Sequence, residues 1–463
     1  MRWGFLAAAA VAALAMAACS GHDAPAAPEP RPVMAAAQVD AAPPELPALP
    51  LGLPVLDGFA WRKHAGHAAF RVARKAEDHD DWPRVIDACR EALAADPGHL
   101  EAAWLLAVAF GKLGRTGDVL APLTVAVAGD FGKWGPASLE QPGLKAFLAT
   151  EQGAAWQRRV ELDRPRYAAA LARATLVISG GELFAYDPQE PRWYRLTRTY
   201  GAVVGALAVP DTHFIYYVTT RAKKLQVGVI DLARGHSSRP QELGSAGPIT
   251  LAHAAGPTAP GAWIGGGAGP WRQLDDEGFL HPLPAKSARP RGPWLEVSGR
   301  SARVHRLPIA DVTADWDDRG LASAIRLAKS NRVVTVPTGQ IDGDTVVWSP
   351  DQTHLALVAV LDEHCTPGAP AAAAFVVDAA TGTLQEVQRA KGGLSIAWLG
   401  DRRLAVAGDP GVALVDLGGG PPIALAGADD LLARKRHPKC TPDDAPVDEP
   451  ADLDEPEPGD SAR

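Results

Sequence analysis

The sequence predicts an α + β protein of several domains. Helical hairpins come first, followed by an all-β propeller of about six blades, with seven blades or an eight-stranded sandwich as alternatives. Three observations carry this. Between residues 66 and 133 apolar positions recur at an offset of 34 residues, a period that belongs to paired helices. After about residue 174 that rhythm stops, and short alternating segments punctuated by Gly and Pro take over. Within those segments one order of parts recurs: an Asp-containing turn, a strand, a hairpin loop, a second strand, then Asp-x-x-x-Gly.

The helical repeat is read position by position. Val72, Ala73, Ala76, Val85, Cys89 and Ala92 are followed 34 residues later by Leu106, Ala107, Phe110, Val119, Leu123 and Ala126. Small residues stand where two helices must approach, and large apolar ones fill the groove between them. Pro97 breaks the chain after the first copy, and Gly114 marks the turn inside the second. The stretch WPRVIDACREALAADPGHLEAAWLLAVAFGKLGRTGDVLAPLTVAVA resembles the tetratricopeptide repeat, although the family's Trp position falls on Ala103 with Trp104 beside it. Two repeats are fewer than such units usually need, so 136–162 is expected to supply capping helices. The resemblance implies a concave face that binds a peptide or another protein. The plainer reading is that the helices pack on the next domain. Cys89 occupies a core position and is expected to be a buried, inert thiol.

The β half repeats less regularly. Stretches beginning at 209, 349 and 399 share the order of parts, with Asp211, Asp351 and Asp401 in the opening turns and Asp231/Gly235, Asp378/Gly382 and Asp416/Gly420 closing them. A partial copy lies at 180–196. The turn markers stand 140 and 50 residues apart, which fits units of nearly fifty, the size of a four-stranded blade. The sequence WSPD at Trp348–Asp351, followed by THLALVA, resembles the WD40-like repeat of TolB-like periplasmic propellers; the match fades between 247 and 340. The Asp and Gly residues read as structural: the carboxylate accepts turn N–H groups and the glycine supplies positive φ. Thirteen tryptophans raise the thought of sugar stacking, but they are scattered about one per unit and are expected to pack between sheets.

Composition bounds the function classes. The chain has 463 residues, 47% of them apolar and 22% charged, with 46 Gly and 41 Pro. Its formal charge of −8 is concentrated in a Pro-rich acidic tail at 441–463, where nine carboxylates from Asp443 to Asp460 face only Arg463. Without that tail the charges balance at 45 each, so the body has no electrostatic footprint for nucleic acid. At the other end, MRWGFLAAAAVAALAMAACSG reads as a signal peptide over 1–18. Met16 to Cys19 resembles the bacterial lipobox, which implies lipidation of Cys19, membrane attachment through that lipid alone, and an address in the cell envelope; Ser20 leans toward the outer membrane. An Ala/Pro-rich tether is expected over 19–57, the helical domain over 58–174 and the propeller over 175–440.

The remaining candidates for chemistry are few. Cys365 and Cys440 form a disulfide candidate in an oxidising envelope, against two free thiols or a metal site shared with His364 and His437. His64 and His67 are three apart on an expected helix and read as surface side chains. The carboxylates at 315–318 and 342–344 could hold Ca²⁺ but arise cheaply in rim loops. The string GHSSR at 235–239 lacks the final Gly of a nucleophile elbow, and no phosphate loop, zinc-protease or dinucleotide motif is present. No catalytic residue, metal or cofactor is therefore expected. The sequence points to a non-catalytic, membrane-anchored lipoprotein that binds proteins through its helices and propeller face. The alternative is a propeller enzyme or ligand-binding protein acting on envelope glycans or peptides.

Overall fold

The computed structural model describes residues 45–432, except 200, 209–211, 213, 222–223, 233–235, 239, 244–248, 254–260, 267–268, 276–278, 284–293, 299–300, 306–310, 350, 363–368, 400 and 410. The signal segment, Cys19, Asp211, Gly235, Cys365, Cys440 and the acidic tail lie outside these residues.

Seven helices precede the strands: α1 (His67–Glu77), α2 (Trp82–Ala95), α3 (Leu100–Lys112), α4 (Leu120–Gly129), α5 (Phe131–Glu140), α6 (Lys145–Leu148) and α7 (Glu151–Ala172). Their starts are written locally. Asp81, Asp130 and Thr150 accept the N–H groups of Arg84, Lys133 and Gly153, and the His99 ring accepts that of Ala102, so each satisfies an orphan donor of a first turn. Of the twelve repeat positions eleven are buried; Val72 is 43% exposed whereas its counterpart Leu106 is 6% exposed. Gly111 is required where α3 meets the turn before α6, since a Cβ there would fall 2.2 Å from the Gly143 carbonyl oxygen. The expected caps over 136–162 correspond to α5, α6 and α7, and α7 continues through Pro165 to Ala172.

The segment expected to end the tether at 57 belongs instead to the fold from residue 45. Leu49, Leu51 and Leu56 are buried. Pro47, Pro50 and Pro54 hold the preceding residues extended, and the leucines between them become anchors. Asp163 on α7, with no exposed surface, accepts from the N–H of Leu49 at 3.3 Å and from the Arg159 Nε and Nη2 at 2.9 Å each; Arg166 also bonds it. Gly52 then donates to the Ala128 carbonyl of α4, and Leu53 exchanges both backbone bonds with Trp193 at 2.9 and 2.8 Å. Composition alone marks this segment as a linker; the burial of its leucines and these backbone bonds make it a strap.

The strands form six antiparallel sheets. Sheet one contains β1 (Thr175–Ser179), β2 (Glu182–Asp187) and β3 (Arg192–Arg195), with Leu53 on the free edge of β3. Sheet two runs β4 (Val203–Ala208), β5 (Phe214–Arg221), β6 (Lys224–Asp231), with β7 (His236–Ser237) and β8 (Gln241–Glu242) both against β6. Sheet three has β9 (Ile249–His253) near its centre, flanked on one side by β10 (Gly261–Gly266), β11 (Gly269–Asp275) and β12 (Leu280–Pro282), and on the other by β13 (Trp294–Ser298) and β14 (Ser301–His305). Sheet four is β15 (Val312–Thr313), β17 (Ala324–Leu327) and β18 (Arg332–Thr335). Sheet five joins the two-residue β16 (Leu321–Ala322) to the meander β19 (Gln340–Trp348), β20 (His354–Val360), β21 (Ala372–Asp378) and β22 (Leu384–Ala390). Sheet six is the four-stranded meander β23 (Ser395–Trp398), β24 (Arg403–Gly408), β25 (Gly411–Asp416) and β26 (Ile423–Leu425).

Four-stranded meanders are thus met in sheets five and six, but not in the stretch where the repeat fades. There β9 pairs on both sides, with β10 and with β13, and fuses two hairpins into one six-stranded sheet. Apolar clusters join neighbouring sheets in succession: one to two, two to three, four to five, five to six, and six back to one. The last of these brings the first and final sheets side by side, as radial repetition requires. Residues after β26 reinforce it, since Asp430 exchanges backbone bonds with Ile178 and the Leu432 carbonyl accepts from Ala206. Among the described residues no apolar cluster joins sheet three to sheet four.

The helices and the first two sheets share one core, with Tyr167 meeting Tyr194 edge-on at 5.6 Å. Arg173 closes on the buried Asp187 at 2.9 and 2.5 Å, and Arg198 on Asp130. For this face of the helices the plainer reading, packing on the next domain, is the one found.

Replacing Asp163 with Ala strands Arg159 and the Leu49 N–H. Removing one partner of a buried ion pair costs about 3–5 kcal/mol, so urea unfolding of Asp163→Ala is expected to show a loss of that size, with new protease cleavage inside 45–56. Wild-type stability and an uncut strap would contradict the role given to this carboxylate.

Candidate functional site

The turns that mark the repeat make a belt of self-satisfied carboxylates. Asp351 accepts from the Ser349 hydroxyl at 2.6 Å, the Thr353 N–H at 3.1 Å and the Thr353 hydroxyl at 2.8 Å. These bonds, the Ser349 hydroxyl first, draw its pKa down to about 2. Its own N–H donates at 3.0 Å to Asp401, the corresponding residue of the next unit, and Trp398 donates at 3.0 Å to the Val347 carbonyl of the preceding one. Asp378 accepts from the N–H groups of Ala380 and Thr381 and the Thr381 hydroxyl, which lower its pKa, while Gly382 at φ +75° turns the chain. Asp416 accepts from Gly418, and Gly420 has φ +106°. Asp231 ends β6 and is buried. Asp351, Asp378 and Asp416 thus cap their own turns, whereas Asp401 accepts from the preceding unit.

The partial copy at 180–196 carries a residue that its pattern did not single out. Asp187 ends β2 as Asp378 ends β21, and it likewise accepts the N–H two residues on, from Gln189 at 2.9 Å. Its second oxygen holds Arg173 of the helical layer. The signal was the position in the repeat; the partner lay fourteen residues upstream, beyond any local pattern.

A cleft of about 290 Å³ opens beside this belt, lined by His354, Val376, Asp378, Thr381, Thr383 and Gln385 of sheet five and Leu417 just after β25. His354 pairs across the strands with Asp378. Ser, His and Asp are all close by, but their bonds are not those of a nucleophile and its base. The Ser349 hydroxyl is buried and serves Asp351 and the backbone of His354; the His354 Nδ1 bonds the Thr353 hydroxyl at 2.8 Å. The low pKa of Asp378 keeps it ionised, which suits it to accept hydrogen bonds rather than to donate a proton. As arranged, the cleft presents hydroxyls, an amide and an imidazole to a polar ligand.

The other candidates are placed as follows. His64 precedes α1 instead of sharing a helical face with His67. Its ring bonds Asp96 at 2.9 Å and lies 3.3 Å from Asp57, and the Asp96 bond raises its pKa despite some desolvation. His67 packs its ring 5.3 Å from Trp61, and burial lowers its pKa. Cys89 is buried, which pushes its thiol up to about 12. Asp317 accepts from the Leu321 and Arg319 N–H groups and the Arg319 guanidinium, and Asp342 is buried within β19, accepting from Asp344. Among the described residues no three His, Cys, Asp or Glu side chains converge as metal ligands. No described helix is long and apolar enough to cross a membrane.

Taken together, the fold is a helical layer joined through a common core to a propeller-type succession of antiparallel sheets. No family model matches the sequence, and no curated protein matches it. Among solved structures the chain is similar to TolB from Acinetobacter baumannii, at 11% identity and TM-score 0.27 over 58% of this chain and 68% of that one. It is similar also to Hsv2 of Kluyveromyces lactis, at 12% and 0.30 over 53% and 90%, and to the dihydro-heme d1 dehydrogenase NirN, at 15% and 0.27 over 53% and 61%. Likeness at these scores carries no argument about function or blade number; the architecture rests on the sheet order and the apolar interfaces.

Two expectations are open to direct test. The pKa of Asp351, about 2 when folded, lies below the unfolded value of roughly 3.9. Its ionised form therefore contributes stability that is full above that unfolded value and lost as pH falls toward 2. The thermal midpoint of Asp351→Asn should accordingly fall less steeply than wild type over that window; parallel curves would remove Asp351 from the acid response. For the cysteines, protein lacking residues 1–19 and denatured without reductant should show one reactive thiol, that of Cys89, if Cys365 and Cys440 are bonded. Three thiols would exclude the bond.

Proposed function

We propose that this chain is a non-catalytic lipoprotein of the bacterial cell envelope, held by a lipid on Cys19, probing protein partners from the outer membrane as a scaffold. In this reading the helical layer is a pair of tetratricopeptide-like hairpins and the sheets are a TolB-like propeller. The observation that carries it is Val72. It occupies a core position of the repeat on α1, yet it is 43% exposed while the residue 34 positions on is covered. The tetratricopeptide resemblance implies a face that binds a peptide or another protein. An apolar residue left uncovered there suits a partner's side chain better than it suits water. The turn carboxylates support the same reading, because their bonds are spent on holding the surface in shape.

The test uses the full lipidated chain in envelope extracts, with chemical crosslinking before recovery. A stoichiometric protein partner crosslinked near α1 is expected, and Val72→Glu should reduce its recovery at least tenfold without moving the thermal midpoint. Recovery of nothing by the intact chain, or equal recovery by the variant, would count against the scaffold.

A further inference from the structure

The tryptophans of sheet three stand apart from most of the others; Trp316, 36% exposed and on no strand, is likewise in none of the apolar clusters. Trp104, Trp134, Trp156 and Trp193 are buried in apolar clusters, and Trp61, Trp82, Trp348 and Trp398 pack against them. On sheet three the strand alternation turns Ile249, Leu251, Ile264, Leu274, Leu295 and Val297 into the core shared with sheet two. The same alternation places Trp263, Trp271 and Trp294 on the opposite face. Each is only partly buried, and none belongs to an apolar cluster of the described residues.

The register sets their spacing. Trp263 on β10 and Trp294 on β13 both pair with Ala252 of β9, so the two indoles flank one buried alanine. Their separation is two strand spacings, roughly 10 Å. Trp271 lies across Gly265: a Cβ at that glycine would fall 2.4–2.7 Å from its ring atoms Cε2, Cδ2 and Cε3. Gly265 is two residues from Trp263 along β10, so the third indole is diagonal to the first. Small residues under large rings make a platform. Its rim is polar and planar: Gln273 pairs with both Trp263 and His281, and the His281 Nε2 bonds Asp275 at 2.7 Å.

A pyranose ring presents C–H groups on its face and hydroxyls at its edge. The faces stack on indoles, and the hydroxyls take hydrogen bonds from amide, carboxylate and imidazole groups placed beside them. We propose that this face of sheet three is a glycan-binding site, with sugar rings stacked on Trp263, Trp271 and Trp294 and their hydroxyls bonded by Gln273 and the His281–Asp275 pair. The indole separation spans two linked sugar rings, so the ligand is an oligosaccharide chain rather than a single sugar. This site is independent of partner binding through α1.

The experiment titrates the full chain with three soluble probes, the tetramer of β-1,4-linked N-acetylglucosamine, cellotetraose and maltotetraose, read by tryptophan fluorescence and calorimetry. Saturable binding to at least one probe is expected, weakened at least tenfold in Trp263→Ala/Trp271→Ala and several-fold in Gln273→Ala. Trp398→Phe in sheet six should leave the affinity unchanged. Hydrogen exchange on wild-type protein, which needs no variant to fold, should show sugar-dependent protection within 261–275. The proposal is overturned by no saturable binding to any of the three, by affinity unchanged in the double variant, by protection confined to other sheets, or by a Pro-rich peptide occupying the platform in place of the sugars.

Discussion

Asp163 is the charge on which the architecture depends. A carboxylate without exposed surface is tolerated only when its lone pairs are taken up, and here Arg159, Arg166 and the N–H of Leu49 take them. The third of these donors is the consequential one. It ties the chain that precedes the helices to α7, and the same strap then reaches Ala128 through Gly52 and Trp193 through Leu53. Sheet one therefore receives an edge partner from a segment more than a hundred residues earlier in the chain. An open β edge invites pairing with other chains, so covering β3 in this way also serves solubility.

Sheet one is consequently held from several sides. Its outer edge takes Leu53, the buried Asp187 at the end of β2 takes Arg173, and its first strand takes Asp430 from beyond sheet six. Its apolar faces are shared with the helices, with sheet two and with sheet six. Loss of helical packing would thus be felt in the sheets, and loss of the residues after β26 would be felt at the helical junction. Two modules that composition separates at about residue 174 share one core at their junction, between the helices and sheets one and two.

Much of this was legible in the sequence, and the parts that were not share a cause. The 34-residue offset found eleven buried positions because helix pairing repeats locally. The Asp-x-x-x-Gly ends were legible because a carboxylate that accepts the N–H two residues on needs no distant partner, as Asp378 and Asp416 show. What escaped is long-range. Leu49 to Leu56 read as linker because their proline content is local and their partners on α7 and β3 are not. Asp187 was not singled out because its partner Arg173 belongs to another period. The fading of the repeat between 247 and 340 was a true signal, but it marked an altered sheet: β9 pairs on both sides there, and a pattern search that assumes consecutive pairing has no register for that.

That altered sheet also explains why the tryptophans divide as they do. In sheets five and six the indoles of Trp348 and Trp398 stand at the ends of first strands and meet neighbouring units; Trp398 even bonds the preceding unit's backbone. A blade that keeps the repeat keeps its neighbours, and its aromatic residues are absorbed as packing. In sheet three the central position of β9 sets two tryptophans on either side of one alanine, on the face turned away from sheet two. Those indoles are only partly buried, and none belongs to an apolar cluster of the described residues. The planar hydrogen-bonding groups of Gln273, His281 and Asp275 beside them make a poor lining for an apolar core and a suitable one for a ligand whose own surface alternates C–H faces with hydroxyl edges. Departure from the repeat and departure from simple packing thus occur at the same strands, where the chain has the latitude to carry a site of its own.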